Sequence, residues 1–91
     1  MRGGADGVEH FYRDGKLLSM PAKHAKRHAV MLRFLSLFEP GRTYGEREVK
    51  EMILPVWPDY ADVRRYLCDA GLLRRTADGR TYWRDARKID D

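Results

Sequence analysis

The arginines are the side chains in this sequence best equipped for recognition chemistry. Arg64 and Arg65 fall midway along residues 59–70, whose spacing predicts a helix, and both lie off the apolar face of Tyr60, Val63 and Leu67. A guanidinium is a planar fork that matches a phosphate or a guanine edge, so arginines on an outer helix face point to nucleic acid. The plainer alternative is surface charge solvated or paired with Asp62, Asp69 or Glu51. Three acids on the same segment, Asp59, Asp62 and Asp69, oppose phosphate unless they face away. Arg74, Arg75, Arg80 and Arg84 flank a turn at Ala77-Asp78-Gly79. Strand alternation sends Arg74 and Arg75 to opposite faces, so only one of them can address a given partner. Arg75, and Arg80 near the tip, are the candidate contacts there. Lys23, Lys26 and Arg27 stand at i, i+3 and i+4 and form one basic ridge on an earlier helix, where unpaired backbone N–H groups add a positive end. That ridge could dock a phosphate or simply be solvated.

Other chemistry is sparse. His24 and His28 have the i, i+4 spacing of a helical metal clip, but no third ligand is evident and no metal or other cofactor is expected. Cys68 is the only cysteine, which excludes an internal disulfide and a multi-cysteine zinc site and fits a reducing cytoplasm. It reads as a small packing residue rather than a reactive thiol. Trp57, Tyr60, Tyr66, Tyr82 and Trp83 could stack bases, but a small core spends such rings on packing; of these Tyr66 is expected to be the exposed one. There is no phosphate-cradling glycine loop and no nucleophile elbow, and the chain has little room for a water-excluding cleft, so no enzyme is expected.

The elements that must position these groups follow from the punctuation. Asp14-Gly15 between Phe11–Arg13 and Lys16–Leu18 predicts an N-terminal β-hairpin. Pro21 opens a helix predicted over about 22–38, with a wide apolar face (Val30, Phe34, Leu37 and Phe38, widened by Ala29, Met31, Leu32 and Leu35) that calls for neighbours on more than one side. Glu39-Pro40-Gly41 stops it. Thr43-Tyr44 leads into a second helix, about 46–54, with Gly45 as N-cap and Glu48 three residues on. Pro55-Val56-Trp57-Pro58 is a tight connection, Asp59 caps a third helix, and Gly71 ends it in the left-handed conformation with Leu72 folding back. A second hairpin over 73–84 follows. The expectation is an α+β winged helix-turn-helix: three helices, a C-terminal β-hairpin wing and an N-terminal β-hairpin, with 1–9 as a flexible leader, 10–85 as the domain and 86–91 as a polar tail.

With 91 residues, 43% hydrophobic and 35% charged, the composition is that of one globular domain. No apolar run approaches the ~20 residues of a membrane span, and no signal segment opens the chain, so the expected setting is the cytoplasm. The net charge is +4. By segment it is net basic over 1–44 and 60–91 and net acidic over 45–59, so positive charge flanks an acidic middle. Such a balance permits nucleic acid without requiring it.

From about Phe11 to Arg84 the sequence resembles the bacterial family known as domain of unknown function 2087. The likeness rests on Gly15-Lys16-Leu17, Pro21-Ala22-Lys23, Lys26-Arg27, Phe38-Glu39-Pro40-Gly41, Tyr44 with Glu46, Glu48-Val49, Asp59-Tyr60, Val63-Arg64-Arg65-Tyr66-Leu67, Gly71-Leu72-Leu73 and Gly79-Arg80 with Tyr82-Trp83-Arg84. Gly45 departs from the Ser or Thr usual there. The resemblance implies a link to transcription, since members often follow an ArsR-type DNA-binding domain and others stand alone. Two expectations result: a module binding double-stranded DNA, as a monomer or a homodimer on a palindrome, or a non-catalytic module docking on a transcription protein or a second copy. Single-strand binding through aromatic rings is a third.

Overall fold

The structure is a computed structural model that describes residues 7–85. Among the described residues it is a mixed α+β domain of three helices and two small sheets. A 3-10 turn (Glu9–Phe11) leads into a hairpin of β1 (Tyr12–Arg13) and β2 (Lys16–Leu17); then come α1 (His24–Leu35), β3 (Thr43–Gly45), α2 (Glu46–Ile53), α3 (Tyr60–Asp69), β4 (Leu73–Arg75) and β5 (Thr81–Arg84). The second sheet is antiparallel in the order β3-β5-β4, pairing Tyr44 with Tyr82 and Arg75 with Tyr82.

The first hairpin turns at Asp14 and Gly15, both at positive φ (53° and 79°), the pair of values a two-residue turn needs to match strand twist. It is tied to the rest of the chain by the Leu17 N–H donating to the Val56 carbonyl at 2.9 Å, so the hairpin clamps the connection between α2 and α3. α1 is shorter at both ends than its apolar spacing predicts. Lys23, not Pro21, stands at its start, extended (ψ 135°) with its carbonyl receiving the first helical bond from Arg27. At the far end the chain tightens into three-residue turns, Leu37 N–H to Phe34 O and Phe38 N–H to Leu35 O, which keep Phe38 buried without further α-helix. Val30, Met31, Phe34 and Leu35 are buried, while Leu32 and Leu37, read as part of the same apolar face, remain about 40% exposed.

The Thr43–Gly45 segment, expected only as a short lead-in, is an edge strand of the three-stranded sheet. Its Tyr44 is buried, stacks edge-on against Phe38 at 5.1 Å and accepts the Glu39 N–H at its hydroxyl. Gly45 then caps α2 from the backbone: its N–H donates to the Glu48 carboxylate at 3.0 Å. α3 has the cap its sequence predicts, Asp59 Oδ1 accepting the Asp62 N–H. It ends in a Schellman motif, with Gly71 at φ 74°, Leu72 N–H to Leu67 O and Gly71 N–H to Cys68 O. The core gathers Met31, Phe34 and Phe38, Val49 and Ile53, Val63 and Leu67, and Leu73 and Tyr82 from the sheet.

The packed domain begins earlier than expected. Val8, assigned to a leader that should fray, is fully buried, and Glu9 pairs with Arg33 at 2.8 Å. An apolar side chain with a place in the core holds its backbone there. Residues 1–6, and the tail over 86–91, lie outside the described residues. No helix among the described residues is long and apolar enough to cross a membrane.

Candidate functional site

Beside α3 lies an open groove of about 300 Å³ whose other wall is the β4–β5 hairpin. Arg64, Arg65 and Arg75 line it, together with Cys68, Gly79 and Tyr82 and the acids Glu46, Asp69 and Asp78. α3 buries Val63 and Leu67; Arg64 and Cys68 follow these by one position, on the edge that faces the sheet, and Arg65 lies on the outer face. β4 supplies Arg75 because alternation turns Arg74 away. Arg74 reaches Asp85 at 3.3 Å instead, a carboxylate only 5% exposed. Gly79 leaves room for the Arg75 guanidinium: a Cβ there would stand 3.1 Å from Arg75 Nη1, and that side chain would have to shift. Its Asp-Gly sequence signals a turn but not this second role.

The three guanidiniums are held to different degrees. Arg64 lies 3.6 Å from Glu46, and its guanidinium sits 5.6 Å from the Tyr60 ring centre. It is therefore on the α2 edge of the helix rather than clear of Tyr60, and its acid partner is Glu46 rather than Asp62, Asp69 or Glu51. Arg65 and Arg75 make no ion pair or side-chain hydrogen bond among the described residues and are exposed. Cys68 is half-buried in the groove wall; burial pushes its thiol up from the ordinary value, against the opposing pull of Arg75 and Arg64. At the hairpin tip, the Thr76 hydroxyl and then the Arg80 N–H donate to Asp78 and hold its carboxyl below the usual range. Arg80 itself is exposed beside the groove without lining it.

The basic ridge on α1 is a different place. Arg27 donates from Nη2 to both oxygens of Asp62, at 3.0 and 3.2 Å, and lies over the Tyr66 ring. Asp62 and Tyr66 are one turn apart on the edge of α3 opposite Arg64 and Cys68, so Arg27 stands across the helix from the groove. Lys26 Nζ donates to the Gly7 carbonyl at 3.2 Å. Lys23 is exposed with no such partner among the described residues. Tyr66, expected to be the exposed ring, is instead wedged between α1 and α3: its hydroxyl is 2.7 Å from His28 Nδ1, and His28 in turn stacks on His24. His28 is thus part of a packed contact while His24 is exposed, and no metal-holding cluster of three or more His, Cys, Asp or Glu side chains exists among the described residues. Arg84, read from sequence as flanking the hairpin, reaches back to the Leu35 and Phe38 carbonyls (3.4 and 3.0 Å) and serves as a cationic cap on the end of α1.

None of the curated proteins and none of the solved structures matches this sequence. Residues 16–84, from β2 to the end of β5, match the family described as "Uncharacterized protein conserved in bacteria (DUF2087)", and over about three-quarters of its length the chain therefore belongs to that family.

Proposed function

We propose that this domain is a winged helix that binds double-stranded DNA through α3 and the β4–β5 hairpin, as a module of bacterial transcription control in the cytoplasm. The order α1-β3-α2-α3-β4-β5, with the sheet ordered β3-β5-β4, is compatible with that fold: α2 and α3 form the helix-turn-helix and β4–β5 the wing. The observation that carries the reading is the convergence of Arg64, Arg65 and Arg75, from two separate elements, on one groove. α3 would enter the major groove while Arg75, with Arg80 at the tip, meets the backbone. Two of the three acids on α3 are already engaged, Asp59 as the cap and Asp62 with Arg27, which lowers the repulsion that the sequence alone suggested.

Fluorescence anisotropy of labelled duplexes across a salt series tests this. Two phosphate contacts, from Arg75 and Arg80, give a slope of about −1.8 in log K against log salt, or roughly 12-fold weaker binding from 50 to 200 mM. No binding at low salt, or binding indifferent to salt, overturns it.

A second reading, a protein-docking or dimerisation module, is favoured by one observation. Leu18, Leu32, Leu37 and Leu54 are 39–58% exposed, and Leu37 borders an apolar groove with Tyr12, Phe34 and Val56. Sedimentation velocity over a concentration range, with and without duplex, separates self-association from DNA binding.

A further inference from the structure

We infer that Arg65 and Asp69 together read guanine–cytosine sequence in the duplex, which makes the domain a selective binder of G·C-containing sites. The inference rests on the DNA-binding reading above and adds to it the class of sequence recognised.

Arg65 and Asp69 are four residues apart on α3 and so project from one face, one turn apart. Both are exposed, both border the groove, and among the described residues neither makes an ion pair or a side-chain hydrogen bond. Their order discourages pairing with each other, because at this spacing the base lies N-terminal to the acid, the weaker orientation on a helix. The other acids of α3 have structural employment: Asp59 caps the helix and Asp62 holds Arg27. Asp69 is left as a carboxylate presented to whatever approaches the helix.

Towards phosphate, that carboxylate is repulsive and only weakens binding. Towards base edges it is useful. Cytosine presents its N4 amino group as a donor in the major groove, while guanine presents O6 and N7 as paired acceptors that fit a guanidinium fork. An adenine amino group has the N7 acceptor beside it and thymine offers an acceptor and a methyl, so neither suits a carboxylate as well. One helical turn rises about 5.4 Å and base pairs stack about 3.4 Å apart, so the two side chains reach bases within about two steps of each other. An acid here also penalises non-specific binding, where only phosphates are offered.

The test is selection from a random duplex library with the native chain, Arg65→Ala and Asp69→Ala, followed by anisotropy on the selected site and on the same site with its G·C pairs replaced by A·T. Both side chains are exposed, so the substitutions leave the Val63 and Leu67 core untouched. The native chain is expected to select a guanine and a cytosine within two steps and to lose roughly 5- to 100-fold in affinity on replacement. Asp69→Ala is expected to narrow that ratio while binding arbitrary duplex more tightly, and Arg65→Ala to abolish the guanine preference. Salt-dependent duplex binding whose selected site lacks G·C, or an Asp69→Ala chain with the native discrimination ratio, overturns this inference and leaves DNA binding standing. Absence of salt-dependent duplex binding in any chain removes the DNA reading itself, and this one with it.

Discussion

The pairing of Arg27 with Asp62 decides whether the basic ridge on α1 is a strut or a contact surface, and it can be tested by a double-mutant cycle. Two unit charges 3.0 Å apart attract by roughly 5 kcal/mol at the effective dielectric near a protein surface. Both side chains are about a third exposed, however (32% and 36%), so water screens the pair and desolvation offsets much of the rest. Exposed pairs of this kind retain about 0.2–1 kcal/mol, and the value here belongs at the upper end because Arg27 is also held over the Tyr66 ring, so less side-chain freedom is lost in forming the pair. Asp62 also lies in the first turn of α3, where a negative charge is worth about 0.3–1 kcal/mol against the helix dipole. Asp62→Ala is therefore expected to cost about 1–2 kcal/mol in urea unfolding, and near 1 kcal/mol of that to be absent in an Arg27→Ala background. In a domain of this size each kcal/mol moves Tm by about 4–8 °C. The same Asp62→Ala chain is expected to bind duplex DNA several-fold more tightly, because it removes an acid from α3 and releases a guanidinium. A coupling energy within about 0.3 kcal/mol of zero would refute this reasoning and return Arg27 to the set of unengaged contacts.

Three more outcomes follow from the site. Arg75→Ala is expected to lower the salt slope of duplex binding by about 0.9, whereas Arg74→Ala, on the other face of the same strand, leaves the slope alone and lowers Tm by removing a guanidinium that faces the buried Asp85 carboxylate; anisotropy and thermal unfolding read the two effects. Gly71→Ala forces a side chain into the left-handed region at φ 74° and is expected to cost about 1–2 kcal/mol in urea unfolding, with the α3-to-β4 corner loosened in hydrogen exchange. Cys68 is expected to react with iodoacetamide more slowly in the folded chain at pH 8 than in urea, and more slowly again with duplex bound. Because folding raises its pKa, the associated stability is present below the ordinary thiol range and is lost as pH rises through the folded value.

What the sequence discloses is what local chemistry controls. Asp59 as a cap, Gly71 as a left-handed stop and Asp14-Gly15 as a turn are each decided within a few residues, and each stands where its sequence places it. The third strand of the sheet escaped because Thr43–Gly45 is three residues long and shows no alternation of its own; it is a strand only because β5, some forty residues on, offers it hydrogen bonds. α1 is shorter than its apolar spacing predicts for the opposite reason. Phe34, Leu37 and Phe38 keep a helical period in sequence, and the three-residue turns that replace the helix still bury Phe34 and Phe38 while leaving Leu37 exposed. Ion-pair partners were the least legible of all. Arg64 finds Glu46, Arg27 finds Asp62, and Arg84 finds the end of α1, all across distances in sequence that no spacing rule spans.

That last point bears on how a basic surface is read. A net charge of +4 says nothing of where charge remains once the fold has used what it needs. Arg27, Arg33, Arg42, Arg64, Arg74 and Arg84 each hold an acid or a helix end, binding one element to another. Among the described residues Arg65, Arg75 and Arg80 have no such side-chain duty, and they cluster on α3 and the hairpin beside it; Arg13 and Arg47 are likewise unengaged but stand apart, on β1 and α2. An arginine that braces the fold must break a contact before it can serve a ligand, at a cost that comes out of binding. One that braces nothing offers its full charge at once. On the proposed reading, a polyanion would meet its readiest charge not at the densest run of basic letters, Lys23 to Arg27, but on the side where three guanidiniums remain unengaged, set among Glu46, Asp69 and Asp78. Asp69 stands among them, and on the same proposal it would make that side discriminating rather than merely attractive.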